Sequence, residues 1–212
     1  MSEGSLEAPV RHPIPWQDPD FLDAEKLDEE LRRQFDVCHG CRRGFNLCDR
    51  FPRLFDLIDE SESGELDTVT SGNFKTVIDA CTLCDMCFLT KCPYVPPHEF
   101  NIDFPHLMLR ARAAQAKKTG VPFGVKQVIQ TDRNGKLAVA APGFANWASG
   151  CGNHLTRPVM EGLLDVHRDA VLPKFHGDTF TDLAKSSPAV ASDAPALGRK
   201  AVLYATCFAN YN

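Results

Sequence analysis

Along the first half of the chain, apolar residues recur at helical intervals. Leu27, Leu31 and Phe35 fall at i, i+4 and i+8, with Asp28, Glu29, Glu30, Arg32 and Arg33 between them. That spacing predicts an amphipathic helix ending near Cys38. After Cys48, Pro52 suits a first helical turn, and Leu54, Phe55 and Ile58 give a second helix its inner face. The polar, acidic stretch SESGELD interrupts the pattern. A third helix then carries Phe74, Val77, Ile78 and Cys81, with Ser71 or Asn73 as its cap. Pro93, Pro96 and Pro97 exclude regular helix after Cys92. Pro105 opens a fourth helix, PHLMLRARAAQAKK, which Gly120 closes. Its Arg110, Arg112, Lys117 and Lys118 read as a solvated face before they read as a site for an acidic partner.

The signals weaken in the second half. Asp132-Arg133-Asn134-Gly135 reads as a turn, and residues 158–166 as a short helix. The small, Pro-rich run SSPAVASDAPALG has the composition of a linker. KAVLYAT after it is strand-forming, through Val202, Leu203 and Tyr204. The expected organisation is a flexible arm over residues 1–20, a helical module over 21–119, a connecting region over 120–185, a linker over 186–199, and the incomplete start of another domain over 200–212. The fold class is mainly α, with an irregular α/β extension.

Composition narrows the function classes. The 212 residues are 43% apolar and 24% charged, with a net charge of −5, as in a soluble globular protein. The acidic balance argues against nucleic acid as a partner. The start, MSEGSLEAPV, lacks the basic and apolar regions of a signal peptide, and no stretch approaches the roughly 18 apolar residues of a membrane span. A cytoplasmic location is expected, where thiols stay reduced and dense cysteines bind metal or do redox chemistry.

Nine cysteines are present, and seven fall between Cys38 and Cys92. One run is Cys38-His-Gly-Cys41-Arg-Arg-Gly44-Phe-Asn-Leu-Cys48; the other is Cys81-Thr-Leu-Cys84-Asp-Met-Cys87-Phe-Leu-Thr-Lys-Cys92-Pro93. The second run matches C-x2-C-x2-C followed by C-P, the spacing of a cubane iron–sulfur ligand set, except that the gap before Cys92 is four residues rather than three. The first matches at three of four places, with Gly44 where the third thiol belongs. In two-cluster ferredoxins the fourth cysteine of each run serves the other cluster. That crossover gives one complete 4Fe-4S set, Cys48, Cys81, Cys84 and Cys87. It leaves a second set, Cys38, Cys41 and Cys92, with a vacancy at Gly44. The second cluster is then 4Fe-4S, with water, His39 or Asp49 filling the vacancy, or 3Fe-4S, or labile. The apolar neighbours Phe45, Leu47, Phe51, Met86, Phe88, Leu89 and Tyr94 would exclude water from the clusters. Zinc is the chemical rival, but a four-thiolate site on Cys38, Cys41, Cys81 and Cys84 leaves Cys48, Cys87 and Cys92 idle. Cys151 and His154 make a poor site, and His98, His106, His167 and His176 lack ligand spacing. There is no dinucleotide fingerprint, P-loop or nucleophile elbow. Asp56, Asp59, Glu60, Glu62, Glu65 and Asp67, with no base among them, predict low cluster potentials if they act as more than a solvated loop.

DACTLCDMCFLTKCPYVPPHEF, with CHGC and FNLCDRFPRLFDLID before it, resembles the helical ferredoxin module of the anaerobic glycerol-3-phosphate dehydrogenase C subunit and heterodisulfide reductase family, over about residues 36–112. RPVMEGLLDVHRDAVLPKF is a looser match to the stretch that follows that module. RKAVLYATCFANYN resembles the opening strand and first cysteine of the family's cysteine-rich (CCG) domain. The resemblance implies a two-cluster electron carrier, fed by a flavoprotein dehydrogenase or other redox subunit and discharging to quinone or disulfide, with peripheral membrane association through partners. It implies Cys207 as a cluster ligand only where the rest of the CCG domain is present, and it expects Cys at position 44. A catalytic heterodisulfide-reductase-like subunit and an iron–sulfur redox sensor are the alternative readings.

Overall fold

The computed structural model describes residues 4–187 and 198–212. It divides into two compact units, Met1–Gly120 and Val121–Asn212. The protein is mainly helical, and no strand occurs among the described residues.

In the first unit, α1 (Ala24–Cys41) starts where the Asp23 carboxylate accepts from the Lys26 N–H at 2.9 Å. It runs three residues beyond the expected end at Cys38. It stops where Arg42 turns left-handed, with φ 53°, and returns its N–H to the Cys38 carbonyl. Two of the cysteines therefore stand on its last turn. The second helix, α2 (Arg50–Asp59), buries Phe51, Leu54, Phe55 and Ile58. The third is shorter than its apolar pattern suggested. A 3-10 turn at Ser71–Phe74 leads into α3 (Lys75–Asp79), and Cys81 lies beyond it. Ser71 does not cap this helix; its hydroxyl accepts from Arg32 at 2.8 Å. A single π-helical turn, Cys87–Lys91, follows. The last helix of the unit, α4 (Phe104–Thr119), is capped by Asp103, which accepts from the His106 N–H at 3.1 Å, and ends at Gly120 with φ 75°.

These helices meet in one core. Phe35 lies 5.1 Å from the Phe74 ring and 5.5 Å from Phe104, and Phe51 lies 5.5 Å from Phe104. The basic face of α4 is only partly solvated. Arg110 donates to the carbonyls of Asp20 and Phe21, and Arg112 to those of Ile78, Asp79 and Cys81. The described part of the stretch read as a loose arm, from residue 4 on, is bonded at several points. The Ser5 N–H donates to the Pro93 carbonyl at 2.8 Å and the Val10 N–H to the Pro96 carbonyl at 2.9 Å.

The second unit holds α5 (Phe123–Val128), α6 (Thr131–Ala140), α7 (Pro142–Ser149), α8 (Arg157–Leu164), α9 (Phe180–Ser186) and α10 (Cys207–Tyr211). The turn expected at residues 132–135 is helix within α6. Gly135 is there for contact rather than for turning: a Cβ on it would lie 2.2 Å from Cδ2 of the Tyr211 ring. The Tyr211 hydroxyl donates to Asp132 at 2.6 Å on the same helix. Gly135→Ala is expected to destabilise the docking of α10 by about 1–3 kcal/mol, the usual cost of overpacking. Amide exchange over residues 207–211 should quicken in that variant, and unchanged protection would refute the assignment.

The strand expected in KAVLYAT does not form. Val202, Leu203 and Tyr204 are exposed, and no neighbouring strand among the described residues offers a ladder. Residues 198–212 belong to the second unit, and α10 packs against α6 and α9. Most of the expected linker, residues 188–197, lies outside the described residues. No helix among the described residues is long and apolar enough to cross a membrane.

Candidate functional site

The cysteines of the first unit come from four places: the last turn of α1 (Cys38, Cys41), the approach to α2 (Cys48), the loop after α3 (Cys81, Cys84) and the π turn (Cys87, Cys92 at its end). They line two recesses. Cys38, Cys41, Cys92, Gly44, Phe51 and Tyr94 are among the residues around the first. Cys48, Cys81, Cys84, Arg50 and Met86 are among those around the second. Cys87 lines both. No group of three or more His, Cys, Asp or Glu among the described residues closes on a single-ion site.

The four-residue gap before Cys92 has a structural cause. The Cys92 N–H donates to the Cys87 carbonyl at 2.9 Å, an i to i+5 bond that takes up the additional residue in a π turn. The loop before it is strained in the manner of a ligand cradle. Leu83 (φ 54°) and Asp85 (φ 62°) both lie in the left-handed region that non-glycine residues seldom occupy. The Leu83 N–H turns toward the Cys81 Sγ at 3.4 Å.

Charge holds this loop from two sides. Arg11 forks onto Asp85, at 2.8 and 2.9 Å, and onto Asp103, at 2.9 and 3.0 Å, with its guanidinium 4.2 Å above the Phe88 ring. Its hydrogen bond keeps the Asp85 carboxyl below the ordinary range. From inside, Arg50 donates to the Cys81 Sγ at 3.0 Å and to the Cys87 Sγ at 3.4 Å. Arg50 is 3% exposed. Its guanidinium packs against the rings of Phe51 (4.2 Å) and Phe104 (4.0 Å), its Nε has no partner, and no carboxylate pairs with it among the described residues. A cation buried without a counter-charge is costly. An anionic group bound by the neighbouring thiolates would relieve that cost, so the donor set and the charge both fit an iron–sulfur cluster. Sequence reading passed over Arg50, although it shares the buried stripe of α2 with Phe51, Leu54, Phe55 and Ile58. A lone cation on an apolar stripe was the available signal.

Burial pushes the thiols of Cys38 and Cys87 up, and that of Cys92 up to about 11. Cys84 is exposed, and its thiol is lowered by the Met86 N–H and the Thr82 hydroxyl. Tyr94 lines the same recess as Cys41, and burial first and then that neighbouring thiol push its phenol up. A Cβ at Gly44 would stand 2.8 Å from the Phe51 ring, so a side chain there requires that ring to move.

Several expectations fail. His39 faces Asp59 at 2.9 Å and Asp49 faces Arg53 at 2.6 Å, and neither lines the recess beside Gly44. Phe45, Met86 and Leu89 are exposed, so they exclude little water; Phe51, Phe88 and Tyr94 are buried. Of the acidic stretch, Asp59 is paired with Arg42 and His39, which hold its carboxyl at about 2. Cys207 begins α10 in the second unit and lines a recess there with no other cysteine. Cys151 is exposed in the same unit, 3.5 Å from the Ala170 carbonyl.

Over 95 residues the chain is 33% identical to the citrate utilization protein B of Escherichia coli. The match covers 43% of this chain and 22% of that relative. No protein-family model matches the chain, and no solved structure matches it.

Proposed function

We propose that the first unit is a two-cluster iron–sulfur electron carrier. One observation carries this reading. The fold gathers the cysteines around two recesses, with Cys48, Cys81 and Cys84 at one, Cys38, Cys41 and Cys92 beside Gly44 at the other, and Cys87 lining both. The ferredoxin crossover divides the other six thiols the same way from spacing alone and assigns Cys87 to the four-thiol set. A cluster bound at such a site takes up and releases single electrons. The residues around it supply the rest. The seven thiols ligate, Arg50 and the Leu83 N–H polarise sulfur, and Arg11 clamps the cysteine loop to the start of α4. Phe51 and Tyr94 keep water from the three-thiol recess.

The family resemblance puts a flavoprotein dehydrogenase upstream and quinone or a disulfide downstream, in the cytoplasm or at a membrane surface through partners. The relative named for citrate utilization puts organic-acid metabolism forward as the setting. Three thiolates at the Gly44 recess suit a 3Fe-4S cluster, so anaerobic analysis is expected to find about seven irons and about eight sulfides per chain. Low-temperature paramagnetic resonance of the oxidised protein should show a three-iron signal. A folded, iron-free or zinc-bearing product would overturn the reading.

A further inference from the structure

We infer that Arg50 raises the reduction potential of the cluster at Cys48, Cys81, Cys84 and Cys87 above what its thiolates alone would set. The inference rests on the two-cluster reading and adds a tuning residue to it. Reduction places another negative charge on the sulfur-ligated group, so a fixed cation beside the sulfurs favours the reduced state. The strength of that effect depends on burial, since water and salt screen exposed charges. Arg50 is 3% exposed, donates to two of the four sulfurs at 3.0 and 3.4 Å, and packs against the rings of Phe51 and Phe104. It therefore acts through two of the means that set cluster potentials, charge and hydrogen bonds to sulfur. The carboxylate of the cysteine loop, Asp85, is paired with Arg11, and no ion pair to Arg50 forms among the described residues.

Among the described residues, no cation hydrogen-bonds the sulfurs of Cys38, Cys41 or Cys92. Arg43 lines that recess but is exposed, and Arg50 reaches Cys38 only through space. Of the acidic stretch that suggested low potentials, Asp59 is paired with Arg42.

The test is an anaerobic redox titration of the full chain, with each cluster followed by its own resonance signal. Arg50→Met should lower the potential of the four-thiol cluster by at least a tenfold change in its reduction equilibrium, about 59 mV for one electron. The other cluster should move much less. Arg50→Lys keeps the charge without the two-pronged bond and should show a smaller drop in the same cluster; it also serves if the Met variant does not fold. Equal shifts of both clusters, or none in either variant, would overturn the assignment. Wild-type protein without clusters would instead overturn the two-cluster reading, and metal analysis separates that outcome before any titration.

Discussion

Cys87→Ala is expected to cost the protein about half or more of its iron. Cys87 is 8% exposed, heads the π turn and lines both recesses. Its thiol also accepts from Arg50. Removing it leaves three thiols at the four-thiol site and takes one of the two sulfurs that face the buried guanidinium. A cube with three protein ligands and an uncompensated cation beside it should assemble poorly. Iron should fall by about four per chain, the content of one cubane, with a matching loss of sulfide and visible absorbance. Cys151→Ala is the control, because that thiol is exposed in the other unit and touches only backbone carbonyls. Equal iron in the two variants would remove Cys87 from the ligand set.

Arg157→Met should unfold much of the second unit. Arg157 is 2% exposed and is the hub of a carbonyl network. It donates to Arg168 at 2.8 Å, to His167 and Ala170 at 2.7 Å each, and to Ser149 at 3.4 Å. These bonds tie the end of α7 and the irregular segment 167–170 to the start of α8. Methionine keeps the apolar stem but leaves the carbonyls without their donor. Four part-buried acceptors losing a charged partner together cost roughly 3–5 kcal/mol. That is a large fraction of what a small domain has to lose. Hydrogen exchange should rise across residues 145–172 while α1, α2 and α4 keep their protection. Unchanged exchange there would show that the network is not structural.

The four helices of the first unit were legible because their apolar residues recur at 3.6-residue intervals and their ends carry local signals, such as Pro105 in the first turn of α4 and Gly120 after it. The second unit misled local reading at two places for tertiary reasons. Asp132-Arg133-Asn134-Gly135 carries turn chemistry, yet it is helix because the Tyr211 ring needs the space that Gly135 leaves and its hydroxyl needs Asp132. Val202, Leu203 and Tyr204 have strand propensity, but a strand requires a partner, and the sequence of KAVLYAT alone could not say whether one is present.

For the candidate site, the ferredoxin crossover groups the seven thiols from their spacing, and the two recesses match that grouping for all but Cys87, which lines both. Spacing could not determine what surrounds those sulfurs. Only the folded chain brought Arg50 of α2 against Cys81 and Cys87, and Arg11 against Asp85, across 31 or more positions in each case. Charge acts through space, so its effect on a sulfur depends on packing and burial that no local pattern encodes.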